Sequence, residues 1–412
     1  MEIRPIVSTL LRQRTGPLLV ALQVAISLAI LVNAIFVVQQ RIAASQRPSG
    51  VADEENVGYI YVRPQQPYSH ADNLASQVRE LAAIRTVPGV VSVAWTNQMP
   101  MSRSGTSSSV RTVPELIAND PATPGFYYTQ PGFLATMGLR LVEGRDLNDA
   151  DVTDLVWENA GSKEGWPDVG IVTLAVAKVL FPDATTYVGK PIYFGDGAPK
   201  PTRIIGVVET LQNSGAGVQT GGHSVILPMR TSYPFSRYVI RAEPGQLDRV
   251  LADAREAIGK VNSTPVLTGL RKVAEDRNNR YRNDRAMAWM LISICALLLL
   301  VTASGIVGIT ALRVAQRRKQ IGVRRALGAR WRDILRYFIV ENVIITTGGI
   351  VAGLMLALAL NRLLMAQAGM ARLPLEYLAF GAAALWALGI AAVYGPASRA
   401  ATISPAIATR TA

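Results

Sequence analysis

The 412-residue chain is half hydrophobic and only 17% charged, yet has a formal net charge of +13, which excludes both an ordinary soluble enzyme and a disordered tail. The first seventeen residues carry a net +2, Arg313 to Arg336 a net +8 and the tail a net +2, which is twelve of the thirteen charges. The long region between the first two apolar spans is therefore close to neutral and shows no basic stripe with interleaved aromatics, so nucleic acid is not an expected partner.

In chain order, Ile3, Ile6, Val7, Leu10 and Leu11 share one helical face with Arg4, Arg12 and Arg14 beside it, which predicts an interfacial amphipathic helix over residues 1–17. Gly16-Pro17 is expected to turn the chain into the bilayer. Residues 18–38 are apolar apart from Gln23, Ser27 and Asn33, and about twenty such residues cross a hydrocarbon core. A cleaved signal peptide is the alternative, but its apolar stretch is usually about 7–15 residues, which favours an uncleaved span.

From Gln39 to Arg285 no stretch is apolar enough to span, leaving about 245 residues on one side, sufficient for one large or two small domains. VGYIYVR at 57–63 and VVSVAWTN at 90–97 read as strands flanking a helix marked by Leu74, Val78, Leu81 and Ile84, which Pro88-Gly89 ends. A second such unit follows late in the region: RYVIRA at 237–242, a helix through Leu247, Val250, Leu251, Ala254 and Ile258, then TPVLT at 264–268. Two such units suit a ferredoxin-like half with a subdomain inserted at about 99–222. The insertion is bounded by SRSGTSSS at 102–109 and NSGAGVQTGGHS at 213–224, both expected as mobile surface loops.

Chemistry-bearing patterns are sparse. The glycine-rich loop lacks the Lys-Ser/Thr of a nucleotide loop, there is no GxSxG elbow, and His70 and His223 stand apart. Asp53-Glu54-Glu55 and the cluster Asp146, Asp149, Asp151, Asp154 read as solvated faces in preference to cation sites, since neither has the spacing of a calcium loop. Cys295 lies in an apolar run, so no disulfide framework or thiolate cluster is expected. No catalytic residue, directly bound cofactor or metal site is expected.

RKVAEDRNNRYRNDRA at 271–286 predicts a charged helix running into the second span at about 287–312. With residues 39–45 after the first span it forms a stalk. Further spans are expected at about 340–364 and 377–394. Lys and Arg concentrate in short cytoplasmic loops, which places the N-terminus, the 313–336 loop and the tail in the cytoplasm and the 39–286 domain outside. The fold class is thus membrane α-helical with four transmembrane helices and a large α/β extracytoplasmic domain inserted between the first two. Gly349 and Gly353 form a GxxxG pair, and Ser304, Gly305 and Gly308 line the second span: contacts within one subunit or a dimer interface. Glu341 and Asn342 lie near the cytoplasmic end of the third span, where the carboxylate is expected to pair with arginines.

The 317–338 stretch, RRKQIGVRRALGARWRDILRYF, interleaves eight bases with Ile321, Val323, Leu327, Trp331, Ile334 and Leu335. It allows three readings: enforcing topology, binding anionic lipid, or docking as a helix into a cytoplasmic protein. A helix stop at Gly328, a restart at Ala329 and an ordered apolar stripe of Trp331, Ile334 and Leu335 are more than topology needs.

The run QIGVRRALGARWRDILRYFIVENVIITTGGIVAG resembles the signature of FtsX-like permeases of the ABC superfamily. In addition, PGFLATMGLRLVEGRDLNDAD at 131–151 and AKVLFPDATTYVGKPIYFGDG at 177–197 resemble the periplasmic core domain of MacB-like exporters. The resemblance implies a four-span permease, domain 287–412 being its FtsX-like part, in the bacterial inner membrane. It works as a dimer with an identical or related second permease, and a periplasmic adaptor and membrane lipid are further candidate partners. The loop then engages a cytoplasmic ABC ATPase, a separate chain that holds ATP and Mg, through Gln320, Ile321, Gly322, Arg324, Arg325, Ala326, Leu327, Gly328 and Ala329. The family usually has Glu where this chain has Gln320. Beside this mechanotransmission or efflux reading stand a membrane-anchored sensor or scaffold, and a membrane-bound hydrolase for which no nucleophile is visible.

Overall fold

The computed structural model describes residues 15–66, 68–115, 122–156, 166–194, 200–232, 235–262, 266–368 and 371–402. Most of the expected interfacial helix, residues 265 and earlier in TPVLT, and Arg410 of the tail lie outside them. The chain divides into two compact units, Ala43–Asp284, and Met1–Ile42 with Arg285–Ala412.

The first unit is built on one mixed sheet. Its strands are β1 (Val57–Pro64), β2 (Val90–Thr96), β3 (Val110–Arg111), β4 (Gly125–Thr129), β5 (Leu141–Gly144), β6 (Thr153–Leu155), β7 (Val169–Thr173), β8 (Pro191–Phe194), β9 (Thr202–Val208), β10 (Ser224–Thr231), β11 (Ser236–Ala242) and β12 (Val266–Lys272). The order is β12-β1-β11-β2-β4-β10-β7-β9-β8-β3, with β5 on β9 and β6 on β10. β1 runs antiparallel to β11 and β12, and β11 antiparallel to β2, so β11 separates the two strands of the first β-α-β unit.

Between β1 and β2 runs helix α2 (His70–Arg85), whose N-cap Ser69 accepts from the Asp72 amide at 3.1 Å. Strand alternation sorts side chains onto two faces. Ile60, Val62, Val93, Trp95, Tyr238 and Ile240 pack with Leu81 and Ile84 of α2 and with Val250, Ala254 and Ile258 of helix α5 (Leu247–Val261). Val57, Tyr59, Ala94 and Val239 face the opposite way, against Phe133 and Met137 of helix α3 (Phe133–Met137).

The segment at about 99–222, expected as an inserted subdomain, contributes strands to this same sheet. Phe126 and Val172 join the first core, and Tyr127 and Ile171 the second. It joins the first strands through the antiparallel pairing of β4 with β2 at Thr129 and Thr96, and β4 in turn pairs in parallel with β10, a contact between strands remote in sequence. The expected mobile loops are tied in as well. Asn213 accepts from the Ala216 amide at 2.8 Å and donates to Thr220 O at 2.8 Å, while Gln98 accepts from the Thr106 amide at 3.0 Å. A side chain at Gly105 would collide with the Gln98 amide. A further helix, α4 (Leu174–Leu180), follows β7.

The second unit contains four helices long and apolar enough to cross a membrane among the described residues: α1 (Thr15–Gln46), α6 (Val273–Gln316), α8 (Trp331–Ala368) and α9 (Leu375–Ala401). The expected turn at Gly16-Pro17 involves residues before Thr15 that lie outside the described residues. Gly16 and Pro17 themselves lie within α1. The charged segment expected as helix at 271–286 divides, since Arg271 and Lys272 close β12 and α6 begins at Val273.

α1 is the hub of this unit, with Val24, Leu28 and Val32 essentially buried. Lipid offers helices no hydrophobic reason to associate, so small residues and polar pairs decide the contacts. A Cβ on Gly349 would sit 2.6 Å from Ala21 O and one on Gly353 2.9 Å from Ala25 O, so the GxxxG pair packs on α1 of the same chain. Gly305 abuts the Gln23 amide, whereas Gly308 has nothing within 4 Å. Ser27 hydrogen-bonds Thr302 at 2.8 Å and Asn33 donates to Ala357 O at 3.1 Å. The polar residues of the first span thus meet α6 and α8.

Candidate functional site

After α6 ends at Gln316, a short helix α7 (Arg318–Ala326) forms an elbow leading to α8. Gly328 ends it at φ +92°, a conformation glycine adopts without strain, and its amide bonds back to Arg325 O at 3.1 Å. The restart comes at Trp331, two residues later than the expected Ala329. There the Asp333 carboxylate accepts from the Arg330 amide at 2.9 Å.

The elbow has two faces. Ile321 and Gly322 are buried, Ile321 in one cluster with Ile334 and Phe338. Trp331 and Leu335 also pack against that core. The apolar stripe of Trp331, Ile334 and Leu335 therefore holds the elbow to the bundle. Facing out are Gln320, Val323, Arg324, Ala326, Leu327 and Gly328, with Arg325 and Ala329 half-exposed. Leu327 is 83% exposed and Val323 48%. Val323 had no part in the expected docking set, although its position two residues after buried Ile321 marks it.

Arginines fix the elbow to its neighbours. Arg313 donates to Glu341 Oε1 at 2.9 Å, and Arg317 lies 3.7 Å from the same oxygen while donating to the Tyr337 hydroxyl at 2.7 Å. The guanidinium carbons of Arg317 and Arg324 lie 5.9 Å and 5.3 Å from the Tyr337 ring centroid, within cation–π range. Glu341 is 2% exposed, so the ion pair is what makes its charge tolerable there.

In the α/β unit, the first turns of α6 are rooted by a polar network. Arg277 binds Glu54 through Nε at 2.6 Å and Nη2 at 2.5 Å, and its Nη1 donates to Ser45 O at 3.2 Å and Arg47 O at 3.0 Å, carbonyls at the end of α1. Tyr59 donates to Asp276 at 2.7 Å, and Tyr281 to Gln212 Oε1 at 2.9 Å, while the Gln212 amide donates to Arg47 O and Pro48 O. Arg280 donates to Gly215 O at 2.7 Å and pairs with Asp284. Glu54, expected in a solvated acidic face, is the anchor of this root. Burial acts to raise its carboxyl, but hydrogen bonds from Arg277 and Ser49 and the Arg277 charge outweigh it and hold the group below its ordinary value.

In the expected acidic cluster, Asp151 pairs with Arg145 at 2.6 Å and Asp154 with Arg230 at 2.6 Å. No group of metal-ligating side chains occurs among the described residues.

The model of the MacB-like periplasmic core domain matches residues 18–257, and that of the FtsX-like permease C-terminal region matches residues 292–405. The pyoverdine export ATP-binding/permease protein PvdT of Pseudomonas syringae pv. tomato is 27% identical over 365 residues, covering 85% of this chain and 50% of PvdT. The macrolide export ATP-binding/permease protein MacB of Bradyrhizobium diazoefficiens is 30% identical over 236 residues, 55% of this chain and 35% of that protein. The crystal structure of the periplasmic region of MacB from Actinobacillus actinomycetemcomitans aligns with 57% of this chain and 97% of its own at 10% identity and a TM-score of 0.31. The chain spans half or less of the length of these two curated relatives. With one family model covering more than half of it, the chain belongs to the MacB-like, FtsX-like permeases of the ABC transporter superfamily.

Proposed function

We propose that this chain is the membrane subunit of an export or mechanotransmission complex, and that its elbow docks into a cytoplasmic ABC ATPase. The observation carrying this reading is the exposed ridge of Val323, Ala326 and Leu327, ringed by bases, on a short helix whose other face is fastened to α8. A leucine left in water at the end of a short helix held by its Ile321 face, flanked by arginines, is complementary to an apolar slot with an acidic rim. The positive charge around it supports a cytoplasmic elbow and termini and a periplasmic α/β unit.

ATP binding and hydrolysis belong to the partner, which holds ATP and Mg. Closure of two ATPases displaces the elbows of two permease copies, whether identical or related, and α6, a continuous helix from Val273 to Gln316, carries the displacement to its root. The Arg277–Glu54 network makes the receiving end stiff.

Replacing Leu327 by Asp puts an unpaired charge into the slot at a cost of about 3–5 kcal/mol, equivalent to a loss of affinity of roughly 10²- to 4 × 10³-fold. The test is ATP turnover of the reconstituted complex together with co-purification of the ATPase. Loss of both is the expected outcome. Unchanged association and turnover would refute the docking role.

A further inference from the structure

We propose that the niche between α7 and the start of α8 is a binding site for the phosphate headgroup of an anionic glycerophospholipid. The niche is a cavity of about 40 Å³ whose polar wall is Arg317, Gln320, Arg324 and Tyr337 and whose floor includes Ile321 and Phe338. Both guanidiniums stand over the same tyrosine ring, Arg324 at 5.3 Å and Arg317 at 5.9 Å from its centroid. Two cations gathered beside one aromatic ring repel each other, and an anion between them relieves that repulsion.

The nearest carboxylate does not supply that anion. Glu341 Oε1 is taken by Arg313 at 2.9 Å, with Arg317 farther off at 3.7 Å. Arg313 and Arg317 thus share one carboxylate. A phosphate bridging Arg317 and Arg324, with the Gln320 amide and the Tyr337 hydroxyl as further donors, completes the balance with charge-assisted hydrogen bonds.

The position selects a lipid as the source of the phosphate. The niche lies directly after the apolar part of α6, where the sequence changes from Ile309-Thr310-Ala311-Leu312 to a run of bases. That is the level at which headgroups of a bilayer leaflet meet a transmembrane helix. The apolar floor of Ile321 and Phe338 suits the glycerol and first acyl carbons, whereas a free phosphate gains nothing from it. This assignment does not depend on the ATPase, because it concerns the groups around the niche, Arg317, Gln320, Arg324 and Tyr337, while the proposed docking ridge is Val323, Ala326 and Leu327.

The experiment uses the purified full chain, without any ATPase, delipidated in detergent and titrated with phosphatidylglycerol or phosphatidylcholine, with retained lipid counted by native mass spectrometry. The wild type is expected to retain phosphatidylglycerol at least tenfold more tightly than phosphatidylcholine. The double variant Arg317→Gln/Arg324→Gln is expected to lose that preference, with circular dichroism confirming that it remains folded. Tyr337→Phe, which keeps the ring and removes the hydroxyl, should weaken retention by a few fold. Arg318→Gln/Lys319→Gln removes the same charge from side chains outside the niche and should leave the preference intact. Equal loss in both double variants would overturn the proposal in favour of diffuse attraction. Absence of any preference in the wild type would overturn it as well, and so would displacement of bound phosphatidylglycerol by inorganic phosphate at matched concentration. If the niche holds lipid yet Leu327→Asp leaves ATPase docking untouched, the docking reading fails and this one stands.

Discussion

His223 sits half-buried at the end of the loop that Asn213 closes, and its Nδ1 has no hydrogen-bond partner among the described residues. Burial, and then the nearby Arg47 charge, push its imidazole below the ordinary value of 6.5. A base whose folded pKa is depressed binds fewer protons than the unfolded chain does, so this position costs nothing above pH 6.5 and erodes stability as the pH falls through that value. Thermal melts of the detergent-solubilised chain between pH 7.5 and about 5 should therefore fall more steeply for the wild type than for His223→Gln. Parallel curves would show that His223 does not titrate against the fold. At this scale residue types are legible from sequence but their partners are not. Asp53-Glu54-Glu55 looks like a solvated face, and nothing local reveals that Arg277 will reach Glu54. Leu327 was legible as part of a motif, but that it is exposed while Ile321, six residues earlier, is buried depends on how α7 lies on α8.

At the scale of elements, the strands at 57–63, 90–97 and 237–242 and their helices follow from period-2 and period-3.6 patterning, and the structure places them within one residue or so of the expected bounds. The β12-β1-β11-β2 order is also what two such units imply. What local patterning does not carry is the pairing of β4 with β10 or the extension of the sheet through β7 and β9, because long-range register is set by shared cores and not by neighbours in sequence. The glycine pair of the third span was legible as a packing motif while its partner was open, and the structure assigns it to α1. Gly349→Leu should overpack that contact and destabilise the chain by about 1–3 kcal/mol, whereas Gly308→Leu, with no atom within 4 Å, should fall within about 0.5 kcal/mol of wild type. Melting by size-exclusion fluorescence checks this. A Gly349→Leu chain that melts normally but changes oligomeric state would assign the pair to an interface between copies instead.

For the whole molecule, two ends carry the proposed function: an elbow that presents Leu327 to a partner, and a root in which Arg277, Tyr281 and Asp276 of α6 bind the α/β unit. Membrane class, span number and the large domain after the first span were legible because lipid tolerates so few chemistries. The root was not, since RKVAEDRNNRYRNDRA reads equally well as a solvated helix. The account rests on the elbow meeting a motor. The most direct test is a photo-crosslinking amino acid at Leu327, activated in native membranes with nucleotide trapped, and mass spectrometry of the product. The account predicts a crosslink to the surface of an ABC-type ATP-binding domain, and one confined to lipid or to periplasmic protein would contradict it.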